Sequence, residues 1–307
     1  MGQSYSYASI LETSQRAAFG LDDVLREGET FDFARPFLPE GLSAARAATQ
    51  LSPGERLTLN QVRGHSYLCL FGVVEEFILP FVVDHARADL ASDDQRTRAL
   101  LGFAAEEAKH IQLFKRFQRG FEAGFRTPCQ VIGPSSDISR TVLGHGQLAV
   151  ALLILHIEWM TQRHYVDGVH DDASLDPQFK RLLKAHWQEE AQHAKLDGLM
   201  VEQLAAWLSP REREASVDEY LQLVAALSGL LDAQLGFDLD SLERALGRTL
   251  ASSERAPLEA AQRRALHWTF LGSGMTHPKF LASVAALSPE SAERVRAAAG
   301  PYGDVND

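Results

Sequence analysis

Only two cysteines, Cys69 and Cys129, occur in the 307 residues. Two thiols build neither a disulfide framework nor a thiolate zinc site, and they suit a reducing cytoplasm. Basic charge is also scarce: 30 Lys and Arg stand against 41 Asp and Glu, a formal net charge of −11. That balance argues against nucleic acid or an anionic membrane surface as the main partner. Long apolar runs are missing too. The longest, Leu148–Ile157 with His156 inside it, is too short to cross a bilayer, and it stops at Glu158. The segment Met1-Gly-Gln-Ser-Tyr-Ser lacks the basic-then-apolar pattern of a secretion signal. No strand-like alternation stands out, and neither does a glycine fingerprint for a flavin or nicotinamide. The expectation is an acidic, all-α, cytoplasmic protein.

Helix signals divide the chain. Residues 1–52 read as an arm with a short helix near 8–26 and an irregular stretch around Pro36 and Pro39. Ser52-Pro53-Gly54-Glu55 is a helix start, with a serine cap, proline in the first turn and glutamate three residues after the cap. A first bundle helix over 53–90 follows, and Pro80 inside it should kink or break it. Ser92-Asp93-Asp94 caps a second, over 93–124. Arg126–Ser136, with Pro128, Gly133 and Pro134, reads as the long crossover. A third helix is expected over 137–168 and a fourth, opened by Asp176-Pro177, over 176–208. The bundle thus occupies 53–209, and 210–307 forms a helical extension packed on it. Four further helices are expected there, near 216–233, 239–250, 254–273 and 288–299.

What is present inside the bundle is a repeated pattern of metal-ligand type. Glu107-Ala-Lys-His110 and Glu190-Ala-Gln-His193 are Glu-x-x-His units in helical stretches. Three residues make about one helical turn, so each Glu and His project from one face. An acid in an apolar helix precedes each unit at the same offset: Glu75 lies 32 residues before Glu107, and Glu158 lies 32 before Glu190. Four carboxylates and two imidazoles on facing helices are the ligand set of a di-iron or di-manganese carboxylate bundle. Hard carboxylates with imidazoles suit iron, or manganese, better than zinc. The expected partition gives Glu75, Glu107 and His110 to one ion, and Glu158, Glu190 and His193 to the other. Glu75 is preferred to Glu76 because of the equal spacing and the apolar face of Leu68, Phe71, Ile78 and Val82. Glu76, Glu106 and Glu189 are expected to point elsewhere, into solvent or behind the ligands.

His186 lies one turn before Glu190 on the same face, where the first half has Phe103. A histidine there has partners only near the metals, which favours a seventh ligand. Phe71, Ile78, Phe103, Phe114, Leu155 and Trp159 or Tyr165 would wall a cavity suited to an aromatic or aliphatic substrate. The stretch His267–Pro278, rich in Gly and Ser, reads as a helix end whose His277 either caps the next helix or reaches the pocket.

The series Glu75, Glu107/His110, Glu158, His186/Glu190/His193 resembles the ferritin-like di-iron oxygenases, most closely the p-aminobenzoate N-oxygenase type. Its Glu, Glu-x-x-His, Glu, His-x-x-x-Glu-x-x-His pattern matches over about 55–205. The resemblance implies O2 activation at a reduced di-iron centre and oxidation of an aryl amine through a peroxo species. Three other readings compete. A ferroxidase or storage protein needs a shorter, cage-forming subunit. A radical-generating subunit needs a tyrosine near the metals, for which only Tyr67 and Tyr165 are placed. A C–H hydroxylase or desaturase would share most of the ligands but not His186. An oxygenase also needs an external electron donor, here a separate ferredoxin or flavin reductase, and a small-molecule substrate. A homodimer through the outer helix faces is compatible with the sequence.

Overall fold

The computed structural model describes residues 5–88, 90, 91 and 94–303, and among these no strand occurs. Three short helices form the arm: α1 (Tyr7–Ala17), α2 (Leu21–Val24) and α3 (Glu40–Ser43). The helix expected over 8–26 is therefore interrupted, at Ala18-Phe19-Gly20. Asn60 ties the irregular part down. Its side chain accepts from the Phe37 and Leu38 amides at 2.7 and 3.1 Å and donates to the Leu38 carbonyl at 2.7 Å.

Helix α4 (Pro53–Ala88) starts where its cap signals place it. The Ser52 amide donates to Glu55 Oε2 at 2.8 Å, and the Glu55 amide returns a longer bond to Ser52 Oγ at 3.4 Å. Arg248 and Ser52 hold the Glu55 carboxyl down at about 2. Pro80 does not break α4. A proline at that position leaves the carbonyl of Glu76 without its helical donor, and Ser139 Oγ fills the place at 3.2 Å. Helix α5 begins at Asp94 and runs to Phe125; Ser92 and Asp93 of the expected cap lie outside the described residues.

The third helix is two helices. α6 (Ser135–Leu143) and α7 (Gln147–His164) are separated by Gly144-His145-Gly146, and a π-helical turn (Tyr165–Val169) follows α7. Glycines disfavour helix continuation, and the new start is secured from outside: the Gly146 amide donates to Glu219 Oε2 at 2.7 Å. α8 (Pro177–Ala206) completes the bundle, capped by Asp176, whose Oδ1 accepts from the Phe179 amide at 2.6 Å. α4 packs chiefly on α5 and α7 on α8, with α5 facing α8 and α1 lying across both.

The C-terminal part also departs from expectation. The helices expected over 216–233 and 239–250 are one helix, α9 (Pro210–Leu246), which passes through Gly236 and stops at Gly247, whose φ of 64° suits glycine. The cost of a mid-helix glycine is about 1 kcal/mol, and burial of Gln234, Leu235, Asp238 and Leu239 around it outweighs that. α10 (Ser252–His267) runs through a second π-helical turn, Trp268–Gly272, into α11 (Ser273–Met275). Gly272 and Gly274 do not end the helix. They let it touch the backbone of Tyr302 and the ring of His156, where any Cβ would clash. α12 (Pro278–Leu287), not foreseen, and α13 (Pro289–Ala299) close the chain.

α9 lies on α4 and α7. A buried ion pair joins it to α4: Arg63 Nη1 donates to Asp238 Oδ2 at 3.1 Å, with both side chains at most 3% exposed. Ser66 Oγ and Gln234 Nε2 also donate to Asp238, and Gln234 reaches the crossover by accepting from the Ile132 amide at 2.9 Å. By length and composition α4 (over Pro53–Arg87) and α9 could each cross a membrane. In the fold they pack together, with Glu75, Arg63 and Asp238 buried on them.

Candidate metal centre

Four helices each send an acid into the bundle: α4 gives Glu75, α5 Glu107, α7 Glu158 and α8 Glu190, none more than 2% exposed. His110, His186 and His193 are equally buried. α5 and α8 set their Glu-x-x-His units face to face, so the groups cross between halves. Glu75, His110, His186 and Glu190 offer ligand atoms within 4.8 Å of one another, and so do Glu107, His110, Glu190 and His193. The partition expected from the sequence kept each half to itself. Facing helices instead make His110 and Glu190 common to both groups. Glu158 falls in neither and sits against the Glu190 carboxylate. Burial and that neighbour push it well above the usual carboxylate range.

The donor set fits metal ions. Glu75 Oε2, both oxygens of Glu107, Glu158 Oε2 and Glu190 Oε1 are buried without a hydrogen-bond donor among the described residues. Imidazole nitrogens do come close: His193 Nδ1 lies 2.8 Å from Glu107 Oε1, and His186 Nε2 lies 2.8 Å from Glu190 Oε1. Neither approach has hydrogen-bond geometry, since both oxygens remain unpaired. Uncompensated buried carboxylates are costly, and divalent cations among them would remove that cost.

Each histidine of the two units is aimed by an acid on the opposite helix. His110 Nε2 donates to Glu189 Oε2 at 2.8 Å, and His193 Nε2 donates to Glu106 Oε2 at 2.8 Å. These bonds fix the tautomer that turns Nδ1 toward the centre. Glu106 and Glu189 therefore stand behind His193 and His110, one residue before Glu107 and Glu190 respectively. Their partners extend outward: Lys109 Nζ pairs with Glu189 and donates to the Phe19 carbonyl, and Ser14 Oγ donates to Glu106. The arm thus braces the site, a role the sequence did not reveal. The doubled Glu-Glu in both units was the available signal. Glu76 instead accepts from Ser135 Oγ. Asp197, one turn beyond His193, is 1% exposed with both oxygens unpaired, and burial raises it well above its usual range.

The aromatic residues divide. Phe71 and Phe114 meet the His186 ring edge-on at 5.3 and 5.1 Å, and Phe103 stacks on His193 at 3.9 Å. Leu155 is core, and Tyr165, in the π-helical turn, stacks on Trp187 at 4.3 Å. Of the expected pocket residues Phe71, Phe103, Leu155 and Tyr165, Phe71 lines a cavity between α4, α7 and α9. The Tyr67 hydroxyl is tied to His164 Nδ1 at 2.9 Å. His277 caps α12 by accepting from the Lys279 amide at 3.3 Å, and it stacks on Trp159.

Without metal the cluster must borrow protons. Burial alone would depress His110, but the carboxylates of Glu190, Glu189 and Glu107 overcome it and raise the imidazole to about 9. His193 is likewise raised, by Glu190 and Glu107 against its burial. A raised histidine stabilises the fold fully below its ordinary value near 6.5 and loses that contribution as pH climbs through 9. For His110 the span corresponds to about 3 kcal/mol. Metal-free protein should therefore melt at progressively lower temperature between pH 6.5 and 9. Metal-saturated protein should lose this slope, because cations replace the protons. Parallel melting curves across that range, with and without metal, would contradict the assignment of these charges.

The profile of the family described as p-aminobenzoate N-oxygenase AurF matches residues 8–231. No curated protein matches the chain in sequence. Among solved structures, an R2-like ligand-binding oxidase variant with an anaerobically reconstituted Mn/Fe cofactor aligns over 89% of this chain and 93% of its own, at 13% identity and a TM-score of 0.49. Another variant, with an aerobically reconstituted Mn/Fe cofactor, aligns over 89% and 94% at 13% identity and a TM-score of 0.48.

Proposed function

The chain belongs to the p-aminobenzoate N-oxygenase AurF family, matched over residues 8–231, and we propose that Glu75, Glu107, His110, Glu158, His186, Glu190 and His193 hold its two metal ions. The protein is a di-metal oxygenase of all-α, ferritin-like type. The ions are iron, with manganese as the alternative, and the reaction is N-oxygenation of a small organic amine. The observation that carries this reading is the convergence of buried, unpaired carboxylate oxygens and inward-turned imidazoles between four helices.

Two ions held by these residues would supply O2 activation once reduced by an outside donor. One oxygen atom ends on the substrate nitrogen, and the other leaves as water with two protons and two electrons. A ferredoxin or flavin reductase provides the electrons. The chain's own residues position and enclose. Glu189 and Glu106 hold His110 and His193 in register, and Phe71, Phe103 and Phe114 pack against the imidazoles to exclude water.

Loss of a hydrogen-bonded acid behind a metal-bound histidine costs 10–100-fold in metal affinity as a rule. Glu189→Ala should weaken iron binding by about that factor while the helical content stays that of the parent, as competition with a chelator would measure. The function itself is tested by metal analysis and O2 uptake. Reduced, iron-loaded protein should carry about two ions per chain and consume O2 faster with an aryl amine, yielding its hydroxylamine. A single zinc ion, or no O2 consumption, would sink the reading.

A further inference from the structure

Beside the site lies a chamber lined by no charged side chain. A cavity of about 50 Å³ lies between α4, α7 and α9 beneath the Trp268–Gly272 turn, and every lining side chain is Leu, Ile, Val, Phe or Met. On its inner side Phe71 separates it from His186, 5.3 Å away ring to ring. Val74 and Ile157, also in the wall, immediately precede Glu75 and Glu158. On its outer side Ile132, Ile138, Leu227 and Leu230 line both the cavity and a surface groove of about 510 Å³ between α6 and α9. The ionisable residue in that groove is Asp137, which pairs with the exposed Arg140 at 3.0 Å.

From these shared walls we infer that groove and cavity form the substrate passage, and that the substrate is a neutral aryl amine with an apolar body and no carboxylate. The inference rests on the oxygenase reading, since it takes the buried centre as the place of reaction. A carboxylate in the inner cavity would meet only Leu, Ile, Val, Phe and Met side chains, and an unpaired buried carboxylate is strongly disfavoured. An alkyl or alkyl-aryl body would gain from the same walls. The inner cavity is small beside the roughly 150 Å³ that admits benzene in an engineered core. Occupancy therefore moves Phe71 or Phe270, and the groove supplies most of the space. The competing route is a depression of about 230 Å³ between α4 and α5, lined by Gly72, Phe114, Glu76 and Lys115. Its lysine would suit a carboxylated amine.

Calorimetric titration with 4-butylaniline and 4-aminobenzoate separates the two, on metal-free and iron-loaded protein alike. The neutral amine should bind at least tenfold more tightly than the carboxylated one. Ile138→Trp should weaken 4-butylaniline at least tenfold with melting temperature and metal content unchanged, and Lys115→Ala should change nothing. Should the tryptophan variant misfold, Leu227→Lys places a cation at the groove and should shift the preference at least tenfold toward 4-aminobenzoate. Tighter binding of 4-aminobenzoate by the parent, sensitive to Lys115→Ala, would overturn the passage and the substrate class. Binding as expected in a protein that consumes no O2 would uphold the passage and remove the oxygenase reading. Amine oxidation without preference between the two amines would remove the passage alone.

Discussion

The Glu190→Ala protein is expected to take up less than about one iron per chain where the parent takes about two, and to stay helical. Glu190 is common to both groups of ligand atoms. Its Oε1 lies 3.0 Å from His110 Nδ1 and 2.8 Å from His186 Nε2, while its Oε2 lies 2.9 Å from His193 Nδ1. A single truncation thus removes a candidate ligand from both groups. Glu107→Ala and His193→Ala act on one group and should chiefly empty that position. Glu158, in neither group, should be the most tolerant of the four acids. Metal analysis beside far-ultraviolet circular dichroism reads all of these. Two ions retained in Glu190→Ala would show that the carboxylate is not shared.

A second large effect belongs to a place far from the metals in function. Asp238→Ala should destabilise the protein by about 3–5 kcal/mol, the usual result of stranding one half of a buried ion pair. Arg63 is 1% exposed, and its Nε and Nη2 already lack partners among the described residues. Burial lowers the Arg63 pKa and raises that of Asp238, so the pair persists only by mutual support. Ser66 and Gln234 would lose their acceptor as well. The fall in melting temperature should be on the order of 10 °C. Replacing both partners, as Arg63→Leu with Asp238→Leu, should recover most of it, because two apolar residues leave no charge uncompensated. A double variant as unstable as the single one would place the cost in packing rather than in charge.

Local signals were legible where they act locally. The Ser52 cap, the Asp176-Pro177 start and the spacing of Glu75, Glu107, Glu158 and Glu190 can be read from neighbours in the chain. The arrangement of the ligands into groups cannot, because it depends on how α5 and α8 face each other. Glu106 and Glu189 illustrate this. One residue off the ligand face of their own helix, they could face solvent or stand behind the ligands, and only the packing of α5 on α8 brings each to the histidine of the other helix. Gly236 and Pro80 lie inside continuous helices for a related reason. Their local helix-breaking tendency is real, but burial of α9 and the Ser139 hydroxyl on α4 offset it. At Gly144 and Gly146 nothing offsets it, and the expected third helix divides.

The bracing of the centre by α1 also orders events in time. The arm is synthesised before the bundle, and its contacts reach Glu106 on α5 and, through Lys109, Glu189 on α8. It can dock on α5 once that helix has been made, but Glu189 joins the brace only when α8 follows. The brace is therefore completed late, and His110 and His193 reach their final aim only after α8 exists. Premature capture of a metal by the first Glu-x-x-His unit alone is disfavoured, since half of each coordination group is still missing from the chain.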